Sequence, residues 1–320
     1  MERINDPYKI VRGELGPMYL PALDLLNAIW AHGTLPAPLK ELIRLKSAGI
    51  AGCLSCQNMR YEEALDEGLS EEAIARMRAG EGLSPAEEAA FNYAAAVVGH
   101  PEDIAKNLPA LRAHFTAQQI AEITMHALAN NMHQSYMASM TKSGDEGGPV
   151  RTENIPDRSA PKDLAPVYAA YATFNANVWK TGTLGPRLKE LLRLKSAQLS
   201  IRPDSMKARL PNSGVDDVMA NRVWDYARSS LPERDKTALG VGELLTIDPP
   251  SINEPWFTEL KLHFNEVQIL ELTWFMMAYK FNHRFNLAMA ELAKLDPSAK
   301  VAPIPEFAPE VLAQGSGRAA

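Results

Sequence analysis

Hydrophobic residues recur along most of this chain with the period of an α-helix. In the segment LKELIRLKSAGI, Leu39, Leu42, Ile43 and Leu45 are spaced to fall on one face, while the charged residues lie largely on the others. The alternation of polar and apolar residues that marks a half-buried strand is nearly absent. The pattern therefore predicts an all-α fold.

Boundary signals divide the chain into further helices. In LSEEAIARMRAG, Ser70 suits an N-cap and Gly80 suits the end of the helix. Other helices are predicted over SPAEEAAFNYAAAVVG, part of PEDIAKNLPALRAHF, and the long segment TAQQIAEITMHALANNMHQSYMASM. Gly49 and Gly52 mark a break, after which CLSCQNMRYEEALDEG is predicted as a helix with Cys53 at or near its start.

The chain contains an internal duplication. The segment GTLPAPLKELIRLKSA at 33–48 returns as GTLGPRLKELLRLKSA at 182–197, with twelve of sixteen positions identical. The same offset of 149 pairs Trp30 with Trp179 and Glu122 with Glu271, and no gap is needed over residues 17–140. A constant offset over this length predicts one helical domain present twice, with about six helices per copy.

Composition places the domain boundaries between the copies. The first copy is predicted over 1–141 and the second over 164–300. Between them, 142–163 is rich in Gly, Pro, Ser and charged residues and is expected to be an exposed linker. The tail, 301–320, contains three prolines and is expected to be extended or disordered unless a partner surface receives it. No chemistry is assigned to the tail.

Charge and hydropathy narrow the class of protein. The 320 residues carry 33 Lys and Arg against 39 Asp and Glu, a net charge of -6 that argues against nucleic acid as a partner. No apolar stretch approaches the ~18 residues needed to cross a bilayer, so no membrane partner is predicted. The first residues lack the basic start and apolar run of a secretory signal, and a cytoplasmic location is expected.

The two cysteines of the chain, Cys53 and Cys56, are the main chemical signal. A pair this close in a cytoplasmic chain is more typical of redox chemistry or metal binding than of a stabilising crosslink. A helix start favours the thiolate, and Arg60, four residues after Cys56, would favour it further from one turn along the same helix face. Two readings without redox chemistry stay open, in which the thiols only fill the junction between helices or bind zinc. Zinc needs four ligands as a rule, and no second Cys pair or nearby His supplies them.

The spacing around the dithiol resembles a known signature. Glu41, eleven residues, Cys53, two residues, Cys56, and a functional position at Arg60 resemble the Glu-x11-Cys-x2-Cys-x3-His pattern of the AhpD-like alkylhydroperoxidase and carboxymuconolactone decarboxylase superfamily. The stretch YEEALDEGLSEEAI resembles the helix that follows the dithiol in that superfamily. The resemblance implies an all-helical fold, homo-oligomers and, in the AhpD-like branch, peroxide reduction by the dithiol without a cofactor.

Residue roles follow from the resemblance. It implies that Cys56 attacks the peroxide, that Cys53 resolves the sulfenic acid as a disulfide, and that Glu41 relays protons. Arg60 replaces the relay histidine, and a guanidinium can stabilise a thiolate but cannot cycle a proton near neutral pH. The proton would then leave through Glu41, water or a residue from elsewhere. The histidine candidates are His126 and His133 on the long closing helix, and Tyr61 and Tyr136 are candidate pocket hydroxyls.

The second copy lacks the dithiol. Cys53, Cys56 and Arg60 correspond to Arg202, Ser205 and Arg209, whereas Glu41 corresponds to Glu190. Because a glutamate is retained where no redox cycle can run, we expect it to form a buried ion pair with an Arg or Lys. The resemblance further implies that two copies form a built-in pseudo-dimer and that three chains form a trimer, held by apolar faces that include Trp274, Phe275 and Met276.

Three functional hypotheses follow. The first is a thiol-dependent, peroxidase-like oxidoreductase that reduces hydrogen peroxide or an organic hydroperoxide at the expense of an unidentified thiol reductant. The second is a cofactor-independent lyase, decarboxylase or isomerase that uses acid-base chemistry, with the cysteines incidental. The third is a protein that binds a small molecule or acts as a scaffold without turnover. No metal or cofactor is predicted.

Overall fold

A computed structural model describes residues 4–141, 151–153, 162–308 and 311–312. The predicted linker lies outside the described residues apart from 151–153 and 162–163, and so do 309–310 and 313–320 of the tail. Helices account for most of the described chain, which confirms the all-α prediction. None of the described helices combines the length and the apolar character needed to span a bilayer.

The first repeat consists of nine helical segments in its described residues, of which six contain nine residues or more. They are α1 (Pro7–Arg12), α2 (Gly16–Ala31), α3 (Ala37–Ala51), α4 (Leu54–Asn58), α5 (Glu62–Asp66), α6 (Glu71–Ala79), α7 (Pro85–Gly99), α8 (Ile104–Arg112) and α9 (Ala117–Met140). A 3-10 turn at Pro101–Asp103 precedes α8. Strand β1 (Met59–Tyr61) pairs in parallel with strand β2 (Arg151–Glu153).

The second repeat begins again with the same order of long helices. Its segments are α10 (Ala165–Lys180), α11 (Pro186–Leu199), α12 (Pro203–Lys207), α13 (Asp217–Arg222), α14 (Glu233–Ile247), α15 (Glu254–His263) and α16 (Glu266–Leu295). Two 3-10 turns lie at Tyr226–Arg228 and Pro249–Ser251.

The predicted helix boundaries agree with the capping groups. Ser70 precedes α6, and its side chain accepts a hydrogen bond from the amide of Ala73. Gly80 ends the same helix in the left-handed region, at φ +73°. Reciprocal capping boxes begin α7 at Ser84 and α9 at Thr116. The sequence signals therefore locate these helices correctly.

The repeated GTL motif has a structural cause. Gly33 follows α2 with φ +93°, and a Cβ added there would overlap the carboxylate of Glu122. That carboxylate accepts hydrogen bonds from the amides of Thr34 and Leu35 and lies 3.1 Å from Nζ of Lys40. Gly182, Glu271 and Lys189 repeat the arrangement in the second copy. A buried Lys–Glu pair thus holds the turn after the first long helix of each repeat.

The two repeats pack against each other through equivalent helices. Helix α2 contacts α10, and α9 contacts α16, as in an isologous dimer. Trp274, Phe275 and Met276 of α16 are fully buried within the chain. The expectation that these three residues form a face between chains is therefore wrong. Trp274 packs against Tyr19 and Tyr136 of the first repeat, whereas Phe275 and Met276 pack against residues of the second repeat. The trimer itself stays a prediction.

Candidate functional site

The two cysteines lie at the turn between α3 and α4 and form a disulfide. Cys53 is the N-cap of α4, and its sulfur accepts a hydrogen bond from the amide of Cys56 at 3.3 Å. Cys53 is completely buried, whereas Cys56 retains 5% exposure. Of the two cysteines, Cys56 is therefore the more exposed residue.

The predicted helix after the dithiol is wrong in its extent. Helix α4 ends at Asn58, and the chain is extended through β1 before α5 begins. In a continuous helix the carbonyls of Cys56 and Met59 would accept hydrogen bonds from amides four residues later. Here the guanidinium of Arg44 donates to both carbonyls, at 2.7 and 2.6 Å. The second copy repeats these bonds from Arg193 to the carbonyls of Ser205 and Ala208.

Glu41 forms a buried two-pronged ion pair with Arg44. Nε and Nη2 of Arg44 donate to the two carboxylate oxygens at 2.7 and 2.6 Å, and Glu41 has no exposed surface. Glu190 and Arg193 form the same pair, which confirms the ion pair expected for the second copy. Arg44 therefore connects Glu41 to the backbone of the dithiol turn.

Arg60 lies on β1 and not on the helix that carries Cys56. Its guanidinium donates to both carboxylate oxygens of Glu71, at 2.7 and 2.9 Å, and to the carbonyls of Gln57 and Met59. The expected position, one turn along a shared helix face, is wrong because that helix has already ended. The described contacts of Arg60 are with Glu71 and with the backbone that follows Cys56.

A cleft of about 370 Å³ opens beside the dithiol. Cys56, Tyr61 and His133 line it together with Arg12, Tyr19, Leu26, Trp30 and Met137. The ring of Tyr61 lies 4.3 Å from that of Trp30, and the guanidinium of Arg44 lies 5.4 Å from the centre of the Tyr61 ring. The cleft thus brings one cysteine together with a phenol, an imidazole and apolar surface.

His133 faces this cleft from α9. Its ring lies about 6 Å from those of Tyr136 and Trp274, and it stacks on Tyr19 at 6.4 Å. Burial lowers the pKa of His133 to about 4. The imidazole is therefore neutral near pH 7, and its unprotonated ring nitrogen is able to accept a hydrogen bond.

His126 and Tyr136 are fully buried residues of α9, and neither lines the cleft. His126 donates from Nε2 to the carbonyl of Lys40 at 2.9 Å, and its ring packs edge-on against Trp30 at 4.6 Å. Burial and the charge of Lys40 lower the pKa of His126 well below its usual value. In the described chain, neither Nδ1 of His126 nor the hydroxyl of Tyr136 has a hydrogen-bond partner. Burial raises the pKa of Tyr136.

The second repeat supports the dithiol turn of the first. Gly52, the residue before Cys53, has φ +68°, and a Cβ added there would lie 2.3 Å from Cγ of Pro250. Pro250 belongs to the 3-10 turn that precedes α15. Sequence reasoning missed this contact and also missed Arg44, although the recurrence of Arg44 as Arg193 within RLKSA was a usable signal. Among the described residues, no cluster of three or more His, Cys, Asp or Glu is arranged to hold a metal ion.

Comparison with known proteins is informative for the first repeat. Residues 21–96 match the Carboxymuconolactone decarboxylase family, and this segment contains Glu41, Cys53, Cys56 and Arg60. The chain is also 28% identical over 116 residues to an uncharacterized protein, YnjA, of Escherichia coli strain K12. That match covers 34% of this chain and 63% of YnjA, less than two thirds of the relative. No solved structure matches the chain at a significant level. Over residues 21–96, the first repeat is therefore similar to the carboxymuconolactone decarboxylase family.

Proposed function

We propose that the first repeat is a peroxidase-like thiol oxidoreductase that cycles Cys53 and Cys56 between dithiol and disulfide. The observation that carries the proposal is that Cys56 lines a cleft with both polar and apolar side chains while Cys53 lies buried directly behind it, within disulfide distance. This is the order in which an attacking thiol and a resolving thiol are needed. The cleft is large enough for a small organic hydroperoxide as well as for hydrogen peroxide.

The proposed cycle has three steps. The Cys56 thiolate attacks one peroxide oxygen, the O–O bond breaks, and the departing oxyanion takes up a proton to leave as alcohol or water. Cys53 then attacks the sulfenic acid on Cys56, which releases water and forms the disulfide. An external thiol reductant returns two electrons and two protons, and the dithiol is restored.

Four of the candidate side chains receive a proposed task. Neutral His133 accepts a hydrogen bond from the Cys56 thiol, either directly or through water, and Tyr61 donates a hydrogen bond to the leaving oxygen. Glu41 acts through Arg44, which fixes the carbonyl of Cys56. Arg60 is a positioning residue, because its guanidinium holds the carbonyls of Gln57 and Met59.

Peroxide titration of the reduced protein tests the proposal. Stopped-flow thiol detection and intact mass should show rapid loss of two hydrogens per chain with one equivalent of tert-butyl hydroperoxide. Cys56→Ser should abolish the reaction, whereas Cys53→Ser should stop at a sulfenic acid that dimedone traps. Thiols that react no faster than free cysteine would overturn the proposal.

One observation favours a second candidate, a cofactor-independent lyase or decarboxylase. Arg12 lies at the edge of the same cleft as Tyr61 and His133, so a carboxylate substrate would meet a cation beside an acid and a base. The two functions separate on one variant. A protein with both cysteines changed to Ser keeps a lyase activity and loses a peroxidase activity.

A further inference from the structure

The C-terminal segment crosses the second repeat on the surface that corresponds to the dithiol cleft. Residues 302–307 contact Tyr168, Asn175, Trp179, Ser205, Asn282 and Asn286. With the offset of 149, these six are the counterparts of Tyr19, Leu26, Trp30, Cys56, His133 and Met137, which all line the first cleft. The second cleft is thus filled by the chain itself.

Side-chain amides and a phenol hold the backbone of this segment. Asn286 donates to the carbonyl of Ile304 and accepts from its amide, at 2.9 and 3.0 Å. Asn175 and Asn282 both donate to the carbonyl of Pro305, and Tyr279 donates to that of Glu306. The first cleft has Leu26, His133 and Met137 where the second has the three asparagines. The hydrogen bonds from these asparagines to the segment's backbone can therefore form only in the second cleft.

The carboxylate of Glu306 enters the place that corresponds to Cys56. It pairs with Nη1 of Arg193, accepts a hydrogen bond from Oγ of Ser205 at 2.8 Å, and lies 3.2 Å from Nε2 of His283. Arg193, His283 and Ser205 are each at most 2% exposed. Phe307 packs beside them, with its ring 5.0 Å from the Arg193 guanidinium. Burial opposes a charged Glu306, but the hydrogen bonds from His283 and Ser205 and the charge of Arg193 outweigh it and lower its pKa to about 2.

We propose that the second repeat carries a carboxylate-binding site, formed by Arg193, His283 and Ser205, and that the C-terminal segment is a tethered ligand that closes this site to free carboxylates. The site stands where the first repeat has its dithiol. Duplication has thus given two clefts of different chemistry, one with a thiol and one with a carboxylate receptor. The proposal does not depend on what the first cleft catalyses.

Chemical rescue in the full-length chain tests it. Glu306→Ala leaves the receptor intact and removes the carboxylate, so formate and acetate should occupy the site and raise the melting temperature. We expect a rise of about 2 °C or more at tens of millimolar formate, relative to equal chloride, and no such rise in the wild type. Glu306→Gln keeps an uncharged group in the same space and should show no rescue.

Asp296→Ala is the matched control, because it removes a carboxylate that pairs with the partly exposed Arg112 at 3.0 Å. Formate should not rescue that variant. Equal formate effects in Glu306→Ala and Asp296→Ala would overturn the carboxylate site, and a rescue-sized effect in the wild type would overturn the closure. Should Glu306→Ala fail to fold in chloride, recovery of folded protein in formate supports the proposal and failure in both salts contradicts it.

Discussion

Lys280 donates a hydrogen bond from Nζ to Oδ1 of Asn131 over 2.8 Å, and these two residues are equivalent positions of the two repeats. Where equivalent positions contact each other, a two-fold axis passes between them. The pair therefore marks the pseudo-two-fold axis of the chain, at the contact of α9 with α16. Both side chains are buried, and Lys280 also donates to the carbonyl of Thr246 at 3.0 Å.

Exchange of this pair is the first prediction. Burial and the nearby charge of Arg284 lower the pKa of Lys280 well below its usual value, so loss of an acceptor is costly. Lys280→Asn and Asn131→Lys should each lower the free energy of unfolding by about 1–3 kcal/mol. The double variant restores the pair in the reverse direction and should recover part of that loss in urea unfolding. If the double variant loses as much free energy of unfolding as the two single variants together, the axis as described is contradicted.

The second prediction concerns Gly52 beneath the dithiol. Gly52→Ala should lower the free energy of unfolding by about 2 kcal/mol or more, because the left-handed backbone is strained and the new Cβ overlaps Pro250. Gly49→Ala is the control, since it lies near the end of the same helix with no atom within 4 Å of an added Cβ. Thermal unfolding should show that Gly49→Ala is neutral or stabilising. Equal effects of the two variants would mean that the second repeat does not constrain the turn.

The third prediction is a pH dependence that arises from His133. In the unfolded chain this residue takes up a proton near its ordinary pKa of about 6.5, whereas burial lowers the pKa in the folded chain to about 4. Between these values the unfolded state holds the extra proton. His133 therefore removes stability as the pH falls from about 6.5 toward 4, by about 3 kcal/mol in total.

His133→Asn isolates this contribution, because Asn282 occupies the equivalent position in the second repeat. The difference in unfolding free energy between wild type and variant should be constant above about pH 7 and should shift steadily in favour of the variant below about pH 6. A difference that does not change with pH would show that His133 titrates normally in the folded protein.

The sequence was most informative where local signals and the repeat act together. Capping residues such as Ser70 and Gly80 located helix ends, and the offset of 149 identified the two copies. Prediction from the sequence failed where a side chain replaces backbone hydrogen bonds. Arg44 donates to the carbonyls of Cys56 and Met59, and α4 ends there. His126 and His133 share one face of α9, but they lie two turns apart. Their positions along the helix decide that only His133 lines the cleft.

The tail shows a different limit of prediction from the sequence. Nothing in the composition of 301–320 indicated that Glu306 would contact buried side chains, because the groups that receive it come from α11, α12 and α16. Prolines and small residues are typical of an extended segment, and residues 301–305 form no regular secondary structure. What the sequence could not supply was the surface on which it lies. The asparagines that hold it stand at positions where the first copy has other residues, a difference that the offset of 149 already shows in the sequence. Its meaning depends on the segment that these asparagines bind.

The last prediction separates the structural and chemical roles of Glu41 by comparison with Glu190. Both carboxylates are fully buried against an arginine three residues later. Glu41→Gln should therefore lower the free energy of unfolding by about 3–5 kcal/mol, since it removes the two-pronged carboxylate partner of a buried guanidinium. Glu190→Gln should lower it by less, because Glu306 also pairs with Arg193. Only Glu41→Gln should slow the reaction of the reduced protein with tert-butyl hydroperoxide, because only Arg44 is bonded to the carbonyl of Cys56. The rates are compared in stopped flow at a temperature where both variants are folded. Equal slowing by the two substitutions would assign the glutamates a purely structural role, and an unchanged rate in Glu41→Gln would remove Glu41 from the proposed cycle.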